Sequence, residues 1–263
     1  MPRTFRPGLG PTVTMLVAVA LFAALGKWQV DRRQWRNADL AAKNAKIDEP
    51  PLPLARFLAD PSALAWRRVT ATGRFDRARS IVIGPDVRED RRGARVFTPL
   101  VLEGAAPDAP RLLVDRGWIP SSEIARFGAN DAPSGDEPSR TLTGLAFQLA
   151  VGGAQPGPAD LPAGVTVQTF AQFDPTKPLQ AAALQEALPY PLLPVLLQWE
   201  GDGSDRLPIG TLSRPVSPVN HLGYALFWFG LAGGAVATWI ALGRERARVQ
   251  ARAAGSVAVP RPS

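Results

Sequence analysis

Hydrophobic positions in this chain follow two arrangements: an unbroken apolar run near each end, and short stretches of apolar–polar alternation between them. The second run, from about Leu222 to Leu242, carries no charge, opens on an aromatic cluster and has Trp239 near its end with arginines beyond. Its length and interfacial aromatics suit a membrane span. The first run reads Thr12 to Leu25 and continues through Gly26-Lys27-Trp28. Its uncharged core falls short of the ~20 residues that cross a bilayer. Extended from Leu9 to Val30 it reaches that length, with Lys27 snorkelling and Trp28 anchoring at the interface. A cleaved signal peptide fits the same stretch, with Arg3 and Arg6 as its charged start and Ala24-Leu25-Gly26 as the cleavage site.

After the first run, Asp31 to about Lys46 is rich in Ala, Arg, Lys and Gln and predicts a polar helical continuation, ended by Pro50-Pro51-Leu52-Pro53. From Val69 to Phe75 the chain alternates, with Val69, Ala71, Gly73 and Phe75 on one side and Thr70, Thr72 and Arg74 on the other, which predicts a strand. Ser80 to Ile83, Arg95 to Leu102, Arg111 to Asp115, Thr141 to Phe147 and Val165 to Phe170 are further strand candidates. Pro- and Gly-rich punctuation separates them at Gly104 to Pro110, Asn130 to Pro138 and Gly152 to Gly164. Asp174-Pro175 opens a helix through Leu188, with Asp as N-cap and Pro in the first turn. There is no internal repeat, and Ala251 to Ser263 reads as disordered.

Charge turns this pattern into a topology. The net +7 is concentrated at the two ends: +2 before the first run, +4 after the second, and only +1 from Lys27 to Arg214. A nucleic-acid binder carries a basic face on its folded domain, so no nucleic-acid partner is expected. The arginines after the second run place the C-terminus in the cytoplasm, and two spans return the N-terminus to the same side. Lys27, Arg32, Arg33 and Arg36 vote the other way, but with a less clean bias. The expected architecture is an α+β membrane protein in which two transmembrane helices flank a β-rich extracytoplasmic domain. Its parts are a cytoplasmic N-terminus (1–8), a first transmembrane helix (9–30), the β-rich domain (31–219), a second transmembrane helix (220–243) and a basic, disordered cytoplasmic tail (244–263).

Composition then limits the chemistry. With no cysteine, with Met1 and Met15 the only methionines and His221 the only histidine, the chain has no disulfides, thiolate zinc sites, iron–sulfur clusters or soft copper site. A Cys–His nucleophile is impossible, and a Ser–His–Asp triad would have to use His221. No G-x-S-x-G elbow or phosphate-binding glycine loop is present. Haem with a single protein axial ligand is allowed.

Three places carry candidate chemistry. Asn220 is a good N-cap, so the second helix should begin at His221. His221, Tyr224, Ala225 and Trp228 then form one stripe, on which His221 could ligate haem iron between Tyr224 and Trp228. The alternative is an interfacial aromatic belt, which favours the same residues. Arg116-Gly117-Trp118-Ile119-Pro120 ends an apolar strand, where Arg116 could pair with a carboxylate or a haem propionate; a strand-to-turn corner with Trp118 in the core fits equally. Glu200, Asp202 and Asp205 sit in a Gly-interrupted turn but lack the downstream glutamate of a calcium loop. Glu89-Asp90-Arg91-Arg92 and Asp136-Glu137 read as solvated loop charge.

With these features placed, the chain resembles the Surfeit locus protein 1 family of cytochrome c oxidase assembly factors, bacterial type. Gly26-Lys27-Trp28-Gln29-Val30-Asp31-Arg32 is similar to that family's signature at the end of the first helix, and Val69 to Phe75 to its first domain strand. Gly93 to Leu100 followed by Leu113 to Pro120 resembles its central block, and Asn220 to Ala225 with Trp228-Phe229 its second-helix signature. Two departures are Trp35-Arg36 in place of the family's frequent lysine, and the Pro/Gly-rich loop Val151 to Gly164. The resemblance implies a retained first anchor and a multi-pass protein of the cell inner membrane, its main domain in the periplasm and both termini cytoplasmic. It further implies haem a as a transient cofactor with His221 as axial ligand to the haem iron. The partners it implies are the cytochrome c oxidase catalytic subunit, haem a synthase, other assembly factors and the lipid bilayer. Tyr224, Trp228 and Arg116 complete the expected cofactor-binding set. No catalytic residue and no enzymatic activity are expected. The rival expectation is a membrane-anchored interaction scaffold for oxidase subunits that binds no haem.

Overall fold

Helix α1 (Leu9–Asp48) joins the apolar run and its polar continuation in one element. Ala, Arg, Lys and Gln sustain the helix beyond the apolar part, with Lys27 and Asp31 paired at 2.6 Å one turn apart. Prolines 50 and 51 end it. The structure, a computed structural model, describes residues 5–257 except 59, 61–63, 65, 126, 128–137, 152–153, 161–163, 165, 170–172, 175–176, 203–205, 211, 213 and 218. The chain divides into a helical unit (Met1–Ala41 with Val216–Ser263) and a sheet unit (Ala42–Pro215).

In the sheet unit, β1 (Leu52–Pro53), β2 (Arg68–Phe75), β3 (Ile81–Arg88), β4 (Arg91–Leu102), β5 (Arg111–Pro120), β6 (Arg140–Gln148), β7 (Thr166–Thr169) and β8 (Leu192–Trp199) form one mixed sheet. Its order is β1-β2-β6-β8-β5-β4-β3-β7, and an added β2–β4 pairing closes β2, β6, β8, β5 and β4 into a ring. The fold of this unit is thus α+β around a large mixed sheet. β1–β2, β5–β8 and β3–β7 are parallel and the other pairs antiparallel. One core cluster draws Val69, Ala71, Leu100, Leu112, Val114, Leu142, Ala146, Val195 and Leu197 from all five ring strands, which identifies it as the ring interior. On the other face, α2 (Pro178–Glu186) covers Phe97, Leu113 and Leu196 with Ala181 and Leu184. β5 is therefore buried on both faces.

The expected alternation of Val69 to Phe75 is present, and four other strand candidates overlap β3, β4, β5 and β6. The fifth is β7, although Val165 and Phe170 lie outside the described residues. β8 was not expected from the sequence. It is buried on both faces and therefore does not alternate, and Pro194 interrupts it. β5 does not end at Asp115 but runs through Pro120, because Gly117 accepts a φ of +122° that keeps the ladder going. Trp118 lies in the core as the corner reading expected, only 2% exposed. Helix α2 starts at Pro178 instead of Asp174, Pro178 supplying the first-turn proline; Pro175 lies outside the described residues. Glu89 and Asp90, both at positive φ, form the two-residue β3–β4 hairpin turn. Asp136-Glu137 lie outside the described residues.

The helical unit is built from α1 and α3 (His221–Val257), each long and apolar enough to cross a membrane by length and composition. Trp239 Nε1 donates to Thr12 Oγ1 at 3.0 Å, and Trp228 stacks on Phe22 at 5.9 Å between centroids. His221 meets Gln29 at the far end. Partners on α3 fall in number as those on α1 rise, so the two helices are antiparallel. At Gly26 a side chain would strike the Phe229 ring, a close approach that only glycine permits. The expected disorder of 244–263 does not hold over the described residues: α3 continues to Val257. Arg, Ala, Glu and Gln favour helix there and no proline intervenes before Pro260; 258–263 lie outside the described residues.

Candidate functional site

Asn220 sets the start of α3. Its Oδ1 accepts from Gly223 N–H at 3.0 Å and its backbone oxygen from Tyr224 N–H at 3.2 Å, which is the N-cap the sequence predicts. The cap fixes where His221 stands. The His221 ring is half-buried, with Nδ1 2.9 Å from Gln29 Oε1 on α1. In the neutral imidazole, a carbonyl oxygen facing Nδ1 selects the tautomer with its proton there, which leaves the lone pair on Nε2. An imidazole held this way is oriented and given the tautomer a metal ligand needs.

The rest of the predicted stripe separates into two faces. Ala225, 2% exposed, and Trp228, stacked on Phe22, turn toward α1 alongside His221. Tyr224 is 55% exposed and sits with Asn220, Gly223 and Phe227 around a surface groove of about 440 Å3. His221 does not line that groove, which occupies the neighbouring face of the helix. Among the described residues no group of three His, Asp or Glu side chains is arranged for a metal ion. His221 offers a single imidazole, and haem, which brings four nitrogens of its own, is a metal group that one protein ligand can hold. The donor set here is one oriented imidazole nitrogen, with the exposed aromatic surface of Tyr224 and Phe227 on the neighbouring face of the helix.

Arg116 belongs to the sheet unit, in β5, and is 7% exposed. Its guanidinium carbon lies 5.3 Å from the Phe75 ring centre and 5.5 Å from that of Phe127, and Nη1 lies 3.5 Å from Thr98 Oγ1. It borders a cavity of about 450 Å3 with Arg77, Arg140, Arg206, Glu123 and Trp199 among the other lining residues. The adjacent Asp115 points elsewhere, 2.9 Å from Arg95 Nε. Burial, the largest single influence, opposes the Arg95 charge, but the Asp115 carboxylate and Asp86 together push the guanidinium pKa up. Glu200, a candidate calcium ligand, is held by Arg68 through a two-point contact at 2.5 and 3.0 Å. That pairing raises the Arg68 pKa, its hydrogen bond from Arg68 being the largest cause. Asp202 lines the Arg116 cavity, and Asp205 lies outside the described residues.

Sequence reasoning missed Gln29 as the partner of His221, though it sits inside the Gly26-Lys27-Trp28-Gln29 stretch already singled out. It also missed the arginines around Arg116. They come from the 3-10 turn after β2, from β6 and from the segment after β8, and no spacing along the chain links them.

Comparison with known proteins adds an independent line. A model of the SURF1 family matches residues 16–233. The chain is 30% identical over 108 residues to the cytochrome oxidase assembly protein SHY1 of Saccharomyces cerevisiae, covering 40% of this chain and 27% of that protein. It is 32% identical over 140 residues to surfeit locus protein 1 of Arabidopsis thaliana, covering 46% and 39%. An uncharacterized SURF1-like protein of Mycobacterium tuberculosis is 31% identical over 156 residues, covering 54% and 53%. The matched stretch therefore spans from 27% to 53% of the length of these relatives.

Proposed function

The chain belongs to the SURF1 family, and from that premise we propose that it assists cytochrome oxidase assembly as a membrane-anchored protein that holds haem a. The support for oxidase assembly is family membership together with the name borne by the yeast relative. The observation that carries the haem reading is the pairing of His221 Nδ1 with Gln29 Oε1 at 2.9 Å. A belt histidine needs only to lie at an interface. This one is held by a second helix with Nε2 left as the electron-pair donor.

In this reading α1 and α3 cross the inner membrane, the arginines after the second span stay in the cytoplasm, and the sheet unit stands in the periplasm. Asn220 fixes the helix start, Gln29 holds the imidazole proton at Nδ1, and Trp228 against Phe22 fixes the next two turns. Tyr224 and Phe227 offer aromatic surface to a flat apolar group. His221 Nε2 would hold the iron that haem a supplies. One ligand at a helix mouth suits transfer to the oxidase catalytic subunit, because binding stays reversible. The chain makes and breaks no covalent bond in this role and acts as a chaperone, not an enzyme.

The test is an absorption spectrum of the protein purified from cells that also make haem a. The parent should carry a haem signal that His221→Ala removes while the protein remains folded and inserted. An unchanged signal in the variant, or none in the parent at normal haem a supply, overturns the ligand role and leaves an assembly scaffold without haem.

A further inference from the structure

The segment before α1 is clamped to α3. Arg6 N–H donates to Gly243 O at 3.0 Å, and Arg6 Nη1 donates to Gln250 Oε1 at 2.6 Å. The Phe5 ring meets Trp239 edge-on at 4.9 Å and lies so close over Gly243 that no side chain fits there. From α3, the Arg246 guanidinium reaches across Gly8 into the space that a side chain at position 8 would take. Two arginines from opposite ends of the chain thus arrive at one surface groove of about 730 Å3.

The groove divides by chemistry. Arg6, Arg246 and Gln250 stand at the start of α1, and no carboxylate is among the described lining residues. Glu245, the acidic residue of this part of α3, faces Arg248 at 3.7 Å. Leu9, Val13 and Leu16 continue the wall along one face of α1, all more than half exposed, as a track about 10 Å long. A cationic head with an apolar track leading from it is the complement of a phospholipid. Guanidinium donors match phosphate oxygens, and basic pockets between membrane helices hold anionic headgroups. The charge bias that orients a span needs only arginines on one side of the membrane. It does not need Arg6 tied to Gln250 or Arg246 laid over Gly8. We propose that this groove holds one anionic phospholipid, its phosphate on Arg6 and Arg246 and an acyl chain along Leu9, Val13 and Leu16. The proposal rests on α1 and α3 crossing a membrane, as in the function proposed above, and is independent of any ligand at His221.

The full-length protein in detergent micelles is titrated with phosphatidylglycerol and with phosphatidylcholine of the same acyl chains, and bound lipids are counted by native mass spectrometry. The first phosphatidylglycerol should bind roughly tenfold more tightly than phosphatidylcholine, and Arg6→Gln and Arg246→Gln should each weaken it about fivefold. Gly8→Ala, which displaces the Arg246 guanidinium at unchanged net charge, should weaken it as well. Arg248→Gln removes the same charge outside the groove and should leave the affinity as it is. Equal binding of the two lipids, Arg6, Arg246 and Gly8 variants that bind like the parent, or an equal loss in Arg248→Gln would overturn the proposal. So would competition by glycerol 3-phosphate, which would mark a site for a soluble phosphate. Alkaline carbonate extraction of cell membranes separates the lipid site from its premise. A parent chain released by carbonate overturns the membrane reading and the lipid site with it, whereas a chain retained without lipid selectivity overturns the lipid site alone.

Discussion

In the sheet unit Phe97, Leu113 and Ile119 are shut off from solvent, whereas in the helical unit Leu16, Leu226 and Phe227 each leave more than half of their surface exposed. The two units meet the same hydrophobic requirement from different sources. The sheet supplies its own apolar medium and holds paired charge against it, Asp115 with Arg95 on the face away from the ring interior being the clearest case. The two helices turn small residues and a few matched polar groups toward each other, Gly26 under Phe229, Thr12 to Trp239 and Gln29 to His221. Their large apolar side chains are left exposed on the outer faces of the pair. A buried arginine in the sheet unit and a half-buried histidine in the helical unit thus sit in different kinds of interior.

The largest expected effect tests whether the interiors really differ. Phe97→Ala opens a cavity between β4 and the α2 side of the core and should cost about 3–5 kcal/mol in denaturant unfolding of the sheet unit. Leu226→Ala, at a position 65% exposed, should stay within about 0.5 kcal/mol in unfolding of the helical unit. Comparable losses in the two variants would mean that the outer face of α3 packs like a core, and the distinction between the units would fail.

The two units were also unequally legible in the sequence. Apolar runs and the alternation of Val69 to Phe75 follow from side-chain period alone, so β2 and the starts of α1 and α3 could be located closely, while the end of α3 at Val257 could not. β8 has neither signal: Leu192, Val195, Leu196 and Leu197 are buried on both faces, and a doubly buried strand loses its period of two. The β-bulge at Arg116, where Val96 faces Gly117 and Phe97 faces Asp115, is a matter of register between two strands, which the residues of one strand do not encode. At the candidate haem site the helical period put His221, Tyr224, Ala225 and Trp228 in one stripe, yet the stripe is wide enough to divide. Ala225 faces α1 while Tyr224 is exposed. Gln29 lies 192 positions from His221, and periodicity within either helix says nothing about which residue of the other it will meet.

A smaller effect separates orientation from mere contact in the helical unit. Gln29→Leu keeps apolar packing against α3 but leaves His221 Nδ1 with no carbonyl to hold its proton. Loss of such an outer partner lowers metal affinity about 10–100-fold, so haem a occupancy should drop on titration of the purified variant. Gln29→Asn or Gln29→Glu, which retain an acceptor oxygen, should restore part of it. If Gln29→Leu binds haem a as the parent does, Gln29 is a packing residue, and the helical unit's polar pairs are structural like those of the sheet unit.

The smallest effect lies in the sheet unit and depends on pH. The Tyr190 hydroxyl donates to Asp76 Oδ2 at 2.7 Å, under a ring that Arg111 caps at 4.2 Å. Burial first, and then the hydrogen bond to Asp76 and its negative charge, push the phenol pKa well above its ordinary value of about 10. The folded protein therefore keeps this proton where the unfolded chain releases it. The stabilisation is complete below about pH 10 and is lost as pH rises from there toward the folded-state pKa. Tyr190→Phe should cost about 1 kcal/mol at neutral pH through the missing hydrogen bond. It should also flatten the fall in sheet-unit stability above pH 10, so that the curves of parent and variant converge. Curves that stay parallel through that range would show that the phenol is already exposed to solvent in the fold, and that paired polar groups in the sheet unit are no better sheltered than those on the helices.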